Sequence, residues 1–132
     1  MRQNKIILAF IGCCCLFLFI GVVAGESADY WYQKGLILSS QGKYSEAVQA
    51  FDHALQLNPD NPDYWNDKGL ALASSKHWNE ALVAFDTALS KDPNYIYGHL
   101  NKCYAYNSLN RYSDALIECN ASIAIYPHEA SA

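Results

Sequence analysis

The chain has 132 residues, enough for one domain, with nine Lys and Arg against 13 Asp and Glu and a net charge of −4. Arg2 and Lys5 stand apart at the start, so the remainder carries seven basic against 13 acidic side chains. That balance makes a poor nucleic-acid binder, because phosphate contacts need clustered Lys and Arg, while ten Tyr and three Trp argue for a packed core and against disorder.

The first predicted element is an apolar helix. Residues 1–5, MRQNK, are basic and polar, residues 6–24, IILAFIGCCCLFLFIGVVA, carry no charge, and Glu26 and Asp29 follow. Nineteen apolar residues are just long enough to span a bilayer. They equally suit a long secretory signal cleaved after Val22-Val23-Ala24, before Gly25. Residues 1–25 are therefore a signal peptide or a membrane anchor. In both readings Arg2 and Lys5 stay on the cytoplasmic side and the rest is exported.

Beyond this segment the chain repeats itself. GKYSEAVQAFDHALQLNP at 42–59 returns as KHWNEALVAFDTALSKDP at 76–93 and as NRYSDALIECNASIAIYP at 110–127, offset by 34 residues each time. A fixed period of this size marks a repeat architecture, with units 28–61, 62–95 and 96–129. Within the first unit Trp31, Gly35 and Leu38 fall at helical spacing, and Tyr44, Ala47, Val48, Phe51, Ala54 and Leu55 form a second apolar stripe. Gln41-Gly42-Lys43 is a turn between them. Ser45, Asn79 and Ser113, each followed by an acidic residue, are expected to cap the second helix of their units. Pro59 ends the hairpin, and Pro62 suits the first turn of the next helix.

Stacking the units aligns Trp31, Trp65 and His99; Lys34, Lys68 and Lys102; Gly35, Gly69 and Cys103; Ala47, Ala81 and Ala115; Phe51, Phe85 and Cys119; and Pro59, Pro93 and Pro127. This pattern resembles the tetratricopeptide repeat family, whose motif runs W-x2-L-G-x2-Y, A-x3-F and P over 34 residues. Here it reads Trp31-x2-Lys34-Gly35-x2-Leu38, Ala47-x3-Phe51 and Pro59. The departures are Lys in the Leu column and a looser third unit, which is expected to pack less tightly. The resemblance implies an all-α fold: three tandem helix-turn-helix units in a short right-handed α-solenoid, preceded by the N-terminal hydrophobic helix. It also implies a concave wall built mainly from the first helix of each unit, and a protein-binding role without catalysis.

The residues themselves offer no catalytic set. Gly35 and Gly69 are isolated, not a phosphate loop, and His53, His77, His99 and His128 lack metal-ligand spacing. No metal or cofactor is expected. His99, in the Trp column, is expected to be a half-buried packing histidine, and the three Trp to be core.

A binding face is better supported. Tyr32, Leu36, Asn66, Leu70, Tyr97, Asn101, Tyr104 and Asn107 lie beside the core stripe of the first helices, with Asp29 and Asp63. Tyr and Asn offer rigid contact area and two-way hydrogen bonding, suited to an extended peptide or a helix in a groove. The competing reading is an ordinary solvated helix face. The family's clamp for acidic chaperone tails uses Lys, Arg and Asn on this wall; no cation matches here. The expected partner is a protein or peptide, and self-association through Leu116, Ile123 and Ile125 of the last helix is the alternative.

Cys103 and Cys119 replace a Gly and a Phe together, and each lies about eight residues from the turn near Asn110-Arg111. Residues equidistant from the turn of an antiparallel hairpin sit at one height, so a disulfide is possible if the helices approach closely. A reduced pair filling the space of Gly plus Phe is the other reading.

Overall fold

In the computed structural model, residues 27–125 are described; the apolar segment 6–24, Pro127 and His128 lie outside them. The described residues form six α-helices and no strand: α1 Ala28–Ser40, α2 Tyr44–Leu57, α3 Pro62–Ser74, α4 Trp78–Lys91, α5 Ile96–Ser108 and α6 Tyr112–Ile125. Consecutive helices pack on one another, and the first helices of the units, α1, α3 and α5, also touch in succession. The result is an all-α helical-repeat solenoid.

Local chemistry sets the ends. Ser27 accepts a hydrogen bond from the Tyr30 amide at 3.1 Å and so caps α1. Asn61 accepts from the Asp63 amide at 2.9 Å, and Pro62 opens α3 where its missing N–H costs nothing. Leu57 is the last residue of α2, one short of the residue before Pro59, which proline biases away from helical geometry.

The caps expected at Ser45, Asn79 and Ser113 are not formed as expected. α2, α4 and α6 begin at Tyr44, Trp78 and Tyr112, two residues before the starts those caps imply, and neither Lys43 nor His77 caps with its side chain. The reason is the tightness of the hairpin turn. Gly42, Lys76 and Asn110 take positive φ of 75°, 66° and 59°. The following amides of Lys43, His77 and Arg111 bond back to the carbonyls of Leu38, Leu72 and Tyr106 at 2.9, 2.9 and 2.8 Å. This six-to-one closure ends the first helix and launches the second within three residues, so that Lys43 and His77 fill the cap positions instead of Ser45 and Asn79.

The core is built from the predicted stripes. Phe51 and Phe85 are fully enclosed, Ala47, Ala54, Ala81 and Ala88 have no exposed surface, and Trp31, Trp65 and Trp78 pack partly buried against these clusters. Gly35 and Gly69 are there because of the Phe rings. A Cβ on either glycine would lie 2.5 Å from Cε1 of Phe51 or Phe85. The third unit differs, as expected: α6 fully buries only Ala115 and Ser122, and leaves Leu116, Ile117 and Ile123 more than 60% exposed.

The Lys column has a role that the apolar pattern did not show. Lys68 reaches across the unit boundary to Asp52 at 2.6 Å, and Lys102 to Asp86 at 2.7 Å. The ammonium groups of Lys34 and Lys68 also lie 4.5 and 5.3 Å from the ring centres of Trp31 and Trp65. Lysine in place of leucine thus joins neighbouring units by an ion pair and covers an indole face.

Candidate peptide-binding groove

Because each unit advances by 34 residues, side chains 35 apart meet between neighbouring first helices. Tyr32 donates its hydroxyl proton to Asp67 at 2.7 Å, and Tyr64 donates to Asp29 at 2.5 Å. Asn101 donates to the Asn66 carbonyl oxygen at 2.8 Å, and Asn66 in turn donates to Asp67 at 3.2 Å. Tyr95, on the loop before α5, donates to Asp63 at 2.6 Å. The rings of Tyr32 and Tyr64 stack with centres 4.5 Å apart. Together these bonds tie α1, α3 and α5 into one wall.

Electrostatics keep the donors protonated. Burial, reinforced by the Asp29 hydrogen bond and charge, pushes the Tyr64 phenol up to about 12. Burial followed by the hydrogen bonds to Asp67 and Asp63 pushes Tyr32 and Tyr95 higher still. Asp67 is also raised: burial exceeds the opposing pull of the hydrogen bonds from Tyr32 and Asn66. At neutral pH Tyr32, Tyr64 and Tyr95 are therefore hydrogen-bond donors.

The structure divides the eight sequence-predicted groove residues into two sets. Leu70, Tyr97, Tyr104 and Asn107 are exposed on the first helices. Tyr32, Leu36 and Asn101 are half-buried, and Asn66 is only 4% exposed, so these four build the wall rather than offer it. Tyr97 and Tyr104 stand edge-on to Tyr95 and Trp78, with centres 5.8 and 5.7 Å apart. Sequence reasoning missed Tyr64 and Tyr95. For Tyr64 a signal existed: it follows Asp29 by 35 residues, as Asp67 follows Tyr32.

A second polar cluster occupies the third unit. Lys102 is held by Asp86 and by Glu118, the latter at 2.5 Å, and His99 Nδ1 lies 2.7 Å from the other Glu118 oxygen. His99 is thus half-buried as expected, but it is placed by a carboxylate as well as by packing. Burial alone would raise Glu118, yet the Lys102 and His99 contacts outweigh it and the net shift is downward. Burial would lower Lys102, yet Asp86 and Glu118 outweigh it and the net shift is upward. The Glu118 contribution is therefore fully present above the ordinary carboxyl value of 4.5 and is lost as pH falls through the lower folded value. Glu118→Gln is expected to cost about 1–3 kcal/mol at neutral pH. It should also flatten the acid limb of a thermal-stability profile; an unchanged acid limb would show that Glu118 does not carry it.

Among the described residues no group of three His, Cys, Asp or Glu could hold a metal ion, and no helix is long and apolar enough to cross a membrane. Cys103 and Cys119 face each other across the third hairpin with Cα atoms 5.4 Å apart, a separation that a disulfide spans, and the structure joins their sulfurs.

Stacked helical hairpins with a continuous wall of first helices define the class: a helical-repeat solenoid. Tetratricopeptide repeat models match residues 28–61 and 62–95, together just over half of the chain. The chain belongs to the tetratricopeptide repeat family. No curated protein matches it significantly. Among solved structures it is similar to MamA, with a TM-score of 0.77 and 20% identity, covering 82% of this chain and 63% of that one. This chain thus spans somewhat less than two thirds of MamA. It is similar to the TPR2B domain of yeast Sti1 in a complex with pHsp70, with a TM-score of 0.75 and 21% identity, over 79% of this chain and 83% of that one. It is also similar to the first TPR of Spaghetti (RPAP3) bound to the HSP90 peptide SRMEEVD, with a TM-score of 0.74 and 20% identity, over 78% and 82% of the two chains. At such identities the likeness is one of fold.

Proposed function

We propose that this protein is a non-catalytic interaction scaffold that holds a peptide or protein segment along the wall of α1, α3 and α5. The observation that carries this reading is the pairing of a rigid wall with open contact residues. Tyrosine–aspartate and asparagine–asparagine bonds hold the wall, while Leu70, Tyr97, Tyr104 and Asn107 project from it. A preorganised wall lowers the ordering cost of binding, and tyrosines are typical anchors. The peptide-bound state of a fold neighbour such as the RPAP3 domain supports the same use. The test is selection from a displayed random-peptide library against the full-length chain in detergent micelles. Selected peptides should bind the Tyr97→Ala/Tyr104→Ala variant at least about tenfold more weakly, as loss of anchor residues implies. Equal binding to a folded variant overturns the groove.

Export of the repeats belongs to this reading. It is supported by the step from Arg2 and Lys5, across uncharged residues 6–24, to Glu26. Protease added to intact cells should then digest the repeat domain. A domain that stays protected until the cytoplasmic membrane itself is breached would mean that it is cytoplasmic.

One observation favours assembly as a second reading. Ile96, Leu100, Ser122 and Ile123 line an apolar hollow of about 290 Å³ at the α5–α6 end of the described solenoid. The matching residues one and two units earlier, Leu89 and Leu55, are met by the next first helix at Gly98 and Tyr64. A molecular mass that rises with concentration, and falls back in Ile123→Glu, is the expected signature. A concentration-independent monomer rejects this reading.

A further inference from the structure

The wall has a charge, and that charge selects a partner. The lysines of the three first helices are Lys34, Lys68 and Lys102, one per unit, and these helices hold no arginine. All three are engaged elsewhere. Lys34 lies over Trp31, Lys68 is paired with Asp52 of α2, and Lys102 is paired with Asp86 of α4 and Glu118 of α6. The same helices place Asp29, Asp63 and Asp67 on the wall side, where they bond to tyrosines of the wall and its adjoining loop.

Those carboxylates are oriented but not neutralised. Tyr64 occupies one oxygen of Asp29 and Tyr95 one oxygen of Asp63. Among the described residues the second oxygen of each accepts no side-chain hydrogen bond, and both residues are exposed. A phenol supplies a proton to hold the carboxylate in place, but no positive charge. An anionic segment laid here would strip water from these groups without counter-charge, which is costly. A Lys or Arg would supply both charge and donors. Next to Asp63, the Tyr95–Tyr97 pair adds aromatic surface, and Tyr97 is 64% exposed; a ring face attracts an alkylammonium or guanidinium group.

Resting on the groove reading above, we propose that the bound segment is cationic: an extended stretch carrying Lys or Arg, whose charged groups meet Asp29 and Asp63 while its apolar residues lie against Tyr97, Tyr104 and Leu70. The sign is opposite to that of SRMEEVD, the peptide on the RPAP3 domain, which carries three acidic residues and one arginine.

The test uses the full-length chain in a non-ionic detergent and two fluorescent, end-blocked peptides of identical apolar sequence. One carries lysines and the other glutamates at the same positions. The lysine peptide should bind at least about tenfold more tightly at low salt, with the gap narrowing as salt is raised. Asp29→Asn/Asp63→Asn, in which the amide oxygens still accept from Tyr64 and Tyr95, should weaken the lysine peptide by roughly fivefold to tenfold and leave the melting temperature nearly unchanged. Preference for the glutamate peptide, or lysine-peptide binding indifferent to the asparagine variant, overturns the proposal. If neither peptide binds while library-selected peptides still depend on Tyr97 and Tyr104, the cationic assignment fails and the groove stands. If no wall-dependent peptide is found at all, both fail.

Discussion

Phe85→Ala is expected to destabilise the protein by about 3–5 kcal/mol, the range for removing an enclosed aromatic ring. Phe85 is 1% exposed and packs with Ala73, Ala81 and Leu82 of its own unit and Ala105 of the third. Its loss opens a cavity where the second and third units join. Gly69→Ala is expected to destabilise as well, although alanine is the better helix former by about 1 kcal/mol. The added methyl would lie 2.5 and 2.7 Å from Cε1 and Cδ1 of Phe85, and the enclosed ring has nowhere to move. Overpacking of this kind costs about 1–3 kcal/mol, enough to offset the propensity gain. The two residues touch, so their effects should not add. In Gly69→Ala/Phe85→Ala the methyl enters space the ring has vacated, and the double variant should be more stable than the sum of the single losses implies. Thermal unfolding followed by circular dichroism measures all three. Strict additivity would mean that Gly69 is not there to make room for Phe85.

The second large effect concerns the third unit, where Cys103 and Cys119 take the columns of Gly69 and Phe85. We propose that they are bridged in the native protein, as an oxidising compartment would favour if the proposed export holds. The two cysteines are 16 residues apart in sequence, and closing a loop of that length contributes about 3 kcal/mol by the loop-entropy model. It would do so in the unit whose second helix buries least. Cys103→Ala/Cys119→Ala should therefore lose a comparable amount, and reductant should lower the stability of the wild-type chain but not of that variant. Cys103→Gly/Cys119→Phe rebuilds the pair that already fits in the first two units. It should recover part of the loss by packing and be insensitive to reductant. Alkylation of unreduced, unfolded protein from its native compartment is the direct measurement. Complete labelling of both thiols would establish a reduced pair that fills space only.

Much of this molecule was legible from local pattern. The 34-residue period, the helical spacing of Trp31, Gly35 and Leu38, and the prolines at 59 and 62 determine six helices in three hairpins. Period and punctuation are properties of the chain within a turn or two of helix. The joint change of Gly–Phe to Cys–Cys foretold that these columns meet, because positions at equal height in a hairpin are a matter of counting. The exposure of Leu116 and Ile123 on α6 was legible too, whereas Ile125, expected beside them, is half-buried.

What only the tertiary structure decided lies between units. Asn66 reads as an open contact residue and is instead buried, because α5 brings Asn101 against it. Tyr64 and Tyr95 read as unremarkable tyrosines and instead hold Asp29 and Asp63. The lysines in the leucine column read as departures and instead join units to Asp52 and Asp86. Ser45, Asn79 and Ser113 look like caps, but left-handed turn residues start the second helices before them. Sequence alone determined which residues are helical and which stripe is apolar. How far one hairpin is rotated against the next decided which polar side chains meet, because that rotation follows from the packing of whole helices and from no single stretch of chain.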